Sequence, residues 1–211
     1  MENYVRRIIT NAQREFNTHV ATLRKGDFGI DVLDFMRSDG SVICNMRVIF
    51  DHERGNRVFI SGDLGEAVIY PTCPATLKGM ADCFTRRDEE GEIEVNPWYF
   101  LEKVAASSDR YKWSYENFRE DFDRRVKEYG LILPEDFYED FIDSWSPDIT
   151  IDSREGVIAS DRAKRALADI DRDYQEWLYD CGKRVSPRVI MWLVALRLAW
   201  EAVEKNESEV E

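Results

Sequence analysis

Ile30-Asp31-Val32-Leu33-Asp34-Phe35 leads through Ser38-Asp39-Gly40-Ser41 to Val42–Asp51, and then to Arg57-Val58-Phe59-Ile60-Ser61 and Glu66-Ala67-Val68-Ile69-Tyr70. Each apolar run is short and rich in β-branched and aromatic residues, which suits a pleated, half-buried surface. The breaks between runs are turn chemistry: Ser38–Ser41, Glu53-Arg54-Gly55-Asn56 and Gly62-Asp63-Leu64-Gly65. Connections this short join antiparallel neighbours. The stretch predicts a three- to four-stranded antiparallel meander.

On its N-terminal side, Val5, Ile8, Ile9, Ala12, Phe16 and Val20 recur at helical spacing. They predict an amphipathic helix over residues 3–20. On its C-terminal side the periodicity after Pro71 is helical to the end. Asn96-Pro97 and Ser114 read as helix starts, as does Pro134 with Glu135 and Asp136 in the first turn. Ser160 is read as the cap of a long helix ended by Gly182, with Ser146–Gly156 as a polar linker before it. Ser186-Pro187 starts a last helix that is apolar almost all round from Val189 to Trp200. The expected fold class is α+β: an N-terminal helix, a small antiparallel sheet, then a helical C-terminal half. The expected division is residues 1–95 and 96–211, packed as one compact unit.

Composition limits function. Leu, Ile, Val and Phe make up 54 of 211 residues, enough for a hydrophobic core. The longest charge-free apolar run, Val189–Leu196, is eight residues, against about 20 for a membrane helix. The N-terminus shows no apolar signal-peptide core. These features lead to the expectation of a protein that stays in the cytoplasm of the producing cell, with Cys44, Cys73, Cys83 and Cys181 as reduced thiols.

Charge points further. Acids outnumber bases 42 to 29, for a net charge of −13, a surface that repels nucleic acid and attracts basic partners. Residues 93–211 hold 27 of the acids, and Glu135–Glu155 holds eight against one base. Asp169, Asp173, Glu176 and Asp180, spaced four, three and four apart, would line one face of a continuous helix. The candidate partner-binding residues are therefore Glu135, Asp136, Glu139, Asp140, Asp143, Asp169, Asp173, Glu176 and Asp180. The small basic clusters Arg6-Arg7, Arg86-Arg87 and Lys183-Arg184 read as ion-pair partners rather than as a nucleic-acid stripe.

Signatures of common enzyme families are missing as strings: the paired-histidine zinc motif, the phosphate loop, the dinucleotide turn and the nucleophile elbow. No lysine has an acid two residues before it, which removes the common Asp…Glu-x-Lys nuclease pattern. Asp51-His52-Glu53, with Asp63 across the next hairpin, is the best metal candidate by residue type. A charged turn explains the same residues, and no catalytic residue, metal or cofactor is assigned.

Arg57-Val58-Phe59-Ile60-Ser61-Gly62-Asp63-Leu64-Gly65-Glu66-Ala67-Val68 resembles a segment of small uncharacterised bacteriophage and prophage proteins. So does the run from Tyr99 and Phe100 through Lys103 to Ala106-Ser107-Ser108-Asp109-Arg110-Tyr111 and Trp113. The resemblance spans roughly residues 47–127. It implies a phage or mobile-element origin and carries no catalytic residue with it. In size, charge and lack of motifs the chain is also similar to anti-CRISPR proteins. The resulting expectation is an inhibitor that docks carboxylates on a basic host protein, a CRISPR nuclease effector first among candidates. The alternatives are a metal-dependent enzyme of the sheet region and a phage accessory protein that self-associates through its apolar last helix.

Overall fold

The computed structural model describes residues 2–53, 55–142, 148–152 and 156–209. The chain opens with helix α1 (Glu2–Glu15), a short 3₁₀ turn, and strands β1 (His19–Lys25), β2 (Ile30–Arg37), β3 (Met46–Asp51), β4 (Arg57–Ser61) and β5 (Ala67–Ile69). Helix α2 (Leu77–Phe84) runs into the hairpin β6 (Thr85–Arg87) and β7 (Ile93–Val95), then α3 (Pro97–Lys103) and β8 (Val104–Ser107). Next come β9 (Tyr111–Trp113), α4 (Tyr115–Glu128), a π-helical turn Tyr138–Ile142, β10 (Ile149–Asp152) and β11 (Gly156–Ala159). The chain ends with α5 (Asp161–Ile170), α6 (Tyr174–Leu178), β12 (Lys183–Val185) and α7 (Pro187–Ser208). The fold is α+β, as its sequence indicates. No helix among the described residues is long and apolar enough to cross a membrane.

Two compact units divide the chain: residues 1–110 with 185–211, and residues 111–184. The division does not fall at residue 95, because the last helix returns to the core of the first unit. That unit is built on a six-stranded sheet in the order β1-β2-β3-β4-β5-β8. The meander is therefore wider than four strands. His19–Lys25, read in part as the end of the first helix, pairs antiparallel with β2, His19 opposite Arg37 and Lys25 opposite Asp31. α1 stops at Glu15, where Phe16 is needed in the core beside Phe35, their ring centroids 5.3 Å apart. β8 closes the other edge against β5.

Period-two alternation sends Leu33, Phe35, Met46, Val48, Phe50, Val58 and Ile60 to one buried face. α7 lies in that core: Val189, Ile190 and Trp192–Leu196 are fully buried. Trp192 donates its indole N–H to the Leu64 carbonyl at 3.1 Å. Phe84 of α2 meets Phe100 of α3 edge to face at 5.2 Å. The apolar last helix is thus largely buried inside its own unit.

The second unit has a separate aromatic core of Phe118, Phe122, Phe137 and Trp177 with Ile142, Val157 and Leu178. Ser114 and Ser160 cap α4 and α5 by accepting from Asn117 N and Ala163 N, as their positions indicate. The region after Pro71 is less helical than its periodicity suggests. Ile149–Asp152, within the stretch read as a polar linker, forms β10 and pairs antiparallel with β11, Ile149 opposite Ala159. Pro134 opens only a turn and the π-helical segment. The long helix after Ser160 is two helices, broken at Asp171.

Candidate functional site

The break at Asp171 decides the fate of the acidic row. Asp171 is extended (φ −144°, ψ 116°). Its carboxylate accepts from the Asp173 N–H at 3.0 Å and from the Trp177 indole at 2.9 Å. A residue whose side chain bonds locally competes with the helix for backbone groups. Asp169 thus sits on α5 and Glu176 on α6, and Asp169, Asp173, Glu176 and Asp180 do not form a row on one helix. Asp180 is paired with Lys183 at 2.9 Å, and Asp140 with Arg162 at 2.9 Å. Glu135, Asp136, Glu139, Asp169, Asp173 and Glu176 are exposed and make no ion pair among the described residues. Asp143 lies outside the described residues.

The metal candidates are also separated. Asp51 faces Arg57 where β3 turns into β4, with 3.9 Å between charged atoms. Asp63 lies past the far end of β4. Its carboxylate accepts from Cys44 N at 2.8 Å while its own N–H donates to the Asn45 side chain at 2.7 Å. This reciprocal pair fastens the Ser38–Asn45 loop and holds Cys44 at φ +56°. His52 approaches Asp31 at 3.6 Å. No group of three His, Cys, Asp or Glu residues among those described is placed to hold a metal ion.

Two of the three basic clusters, Arg86-Arg87 and Lys183-Arg184, are ion-paired. Arg86 meets Glu94 at 2.5 Å, Arg87 meets Glu201 at 2.7 Å, and Lys183 lies over the Tyr111 ring at 4.3 Å. All four cysteines are free thiols. Burial, and then a hydrogen bond with the Cys83 thiol, pushes Cys73 up to about 12, and burial pushes Cys181 to about 12. Such thiols are protonated and unreactive at neutral pH.

The feature that the structure adds is a groove of about 800 Å³ in the first unit, between α1 and the β6–β7 hairpin. Val5, Ile9 and Ile93 give it an apolar side. Asp88, Glu89, Glu90, Glu92 and Glu94 give it five carboxylates, against Arg6 as the one lining base among the described residues. Two of these acids are partly occupied. Asp88 accepts from Glu90 N at 2.9 Å and Glu92 N at 2.8 Å, which builds the hairpin turn, and Glu94 pairs with Arg86. Glu89, Glu90 and Glu92 are exposed and make no ion pair among the described residues. Thr85–Glu94 reads in sequence as a charged link. The signal that finds it as a hairpin is short. Asp88 and Gly91 flank the turn, Gly91 at φ +83°, between Thr85-Arg86-Arg87 and Ile93-Glu94-Val95.

No known protein family matches the chain, and neither does any curated protein or solved structure.

Proposed function

We propose that this chain is a phage-encoded binding protein that occupies a basic surface of a host nucleic-acid-binding defence effector, in the manner of anti-CRISPR proteins. The observation that carries the reading is the surplus of exposed carboxylates that make no ion pair among the described residues. Glu89, Glu90 and Glu92 rim an apolar groove in the first unit, and Glu135, Asp136, Glu139, Asp169, Asp173 and Glu176 stand on the second. Unpaired surface charge costs little in water. It accelerates and orients association with a surface of opposite sign. Phage origin rests on the Arg57–Val68 segment and is part of the same proposal.

The test is inhibition. A purified CRISPR nuclease complex is assayed for cleavage with and without a stoichiometric amount of the protein, at low and at high salt. The reading expects loss of cleavage at low salt, relieved as ionic strength rises. Full cleavage at every salt concentration, with no basic protein from a bacterial lysate retained on the immobilised chain, refutes it.

A further inference from the structure

The β6–β7 hairpin has one edge closed and one edge open. Thr85 pairs with Val95, Arg86 with Glu94, and Arg87 with Ile93. Asn96 donates to the Phe84 carbonyl at 2.8 Å and Asp88 to the Glu92 carbonyl at 3.0 Å. Hydrogen-bonded and non-bonded pairs alternate along an antiparallel ladder. Glu94 therefore exchanges bonds with Arg86, while the N–H and C=O groups of Ile93 and Val95 point away from β6. On the β6 side the corresponding outward group is taken: the Thr85 carbonyl accepts from Arg197 at 2.7 Å. On the β7 side, no hydrogen bond reaches Ile93 or Val95 from any other described residue. Ile93, Glu94 and Val95 line the acidic groove, and Val5 and Ile9 of α1 stand across it.

An open edge is a template for another strand. We propose that β7 takes an extended, lysine- or arginine-rich segment of a partner protein as a third strand, seated in the groove between β7 and α1. The two faces of such a strand meet different chemistry. Side chains on the Ile93 and Val95 side meet the apolar residues Val5 and Ile9. Alternate side chains meet Glu92 and Glu94, with Glu89 and Glu90 at the turn. Main-chain bonds supply affinity and the alternating pockets supply selectivity. The carboxylates disfavour pairing with a second copy, because two such edges repel. The inference deepens the binding function proposed above by naming the segment that this groove receives, and it is tested separately.

The probe is the peptide acetyl-(Lys-Val)₃-amide, titrated calorimetrically against the full chain. Amide exchange is measured with and without peptide. The proposal expects saturable binding that weakens with salt, together with new protection of the Ile93 and Val95 amides. Two N-methylated peptides, one modified at every Lys nitrogen and one at every Val nitrogen, separate strand addition from charge attraction. An added strand turns alternate N–H groups toward β7, so one series loses at least tenfold in affinity and the other binds as the parent. Val95→Pro removes an outward N–H without touching the β6 ladder and is expected to lose at least tenfold as well. The triple change Glu89→Lys, Glu90→Lys and Glu92→Lys loses tenfold and flattens the salt dependence. Equal binding of both methylated series, or no new protection of Ile93 and Val95, overturns the inference. If the protein inhibits a nuclease and Val95→Pro inhibits it equally, the inhibitor reading stands and the strand-addition inference falls.

Discussion

His19 packs against both the Phe16 and Phe35 rings, with centroids 5.0 and 5.1 Å away. One ring nitrogen lies 3.2 Å from the Cys44 carbonyl, while the buried Nδ1 has no hydrogen-bond partner among the described residues. Burial, helped by the Arg37 cation, lowers its pKa from 6.5, against the opposing pull of the Cys44 carbonyl and Glu15. A lowered folded pKa means that the unfolded chain binds the proton more readily. Stability tied to neutral His19 is then complete above pH 6.5, its unfolded value, and is lost as pH falls through the lower folded value. Urea midpoints between pH 7.5 and 5 should fall more steeply for the native chain than for His19→Gln. Parallel curves contradict this account. Asp34 has the same sign in a more acidic window, below its ordinary value of 3.8. Arg47 and then Arg24 hold its carboxyl below the usual range against burial, so its contribution survives mild acid.

Asp121 shows how one residue joins elements. It sits on α4 and is 5 % exposed. It accepts from Arg184 at 2.6 Å, from the Gly182 N–H at 2.9 Å and from Arg124 at 2.5 Å. Burial alone would raise its pKa, but these three donors hold it below the ordinary value. Gly182 is at φ +83°, and a Cβ there would lie 3.0 Å from the Ser114 carbonyl, so a bare backbone is needed for α4 and the 182–184 segment to close together. Asp121→Ala leaves the Arg184 guanidinium, 12 % exposed, without its main partner. Removing one member of a buried pair typically costs 3–5 kcal/mol. Glu120 stands 3.8 Å from Arg184, so a loss of about 3 kcal/mol in urea unfolding is expected. A loss below 1 kcal/mol (that of an exposed pair) contradicts the assignment.

At the scale of the molecule, the sheet of the first unit depends on residues far along the chain. Trp192 reaches Leu64 over a separation of 128 residues, and Arg197 reaches the Thr85 carbonyl over 112. A chain ending at Ser186 lacks the helix that covers the inner sheet face. Its β2–β4 amides are expected to lose their protection in hydrogen exchange. Native protection of those amides in the truncated chain contradicts this core assignment. Contacts of such separation also slow folding, because loop closure precedes the packing that rewards it.

Much of this was legible one residue at a time. The strand Arg57–Ser61 and the caps Asn96, Ser114, Ser160 and Ser186 are local decisions, set by neighbours within four residues. The helix expected to run to Gly182 instead ends at Leu178. What sequence missed was set elsewhere. Val20 fits a helical period, yet β2 offers His19–Lys25 a full ladder, and pairing outweighs propensity. Asp169–Asp180 has helical spacing, yet the core takes Trp177 and the Asp171 carboxylate takes its indole, so the helix breaks. Charge was countable from composition, and −13 follows from residue types alone. Which carboxylates remain unpaired, and which stand beside an open strand edge, depends on guanidinium groups up to 115 residues away. Only the tertiary structure decides that, because Coulomb energy follows distance in space rather than position in the chain.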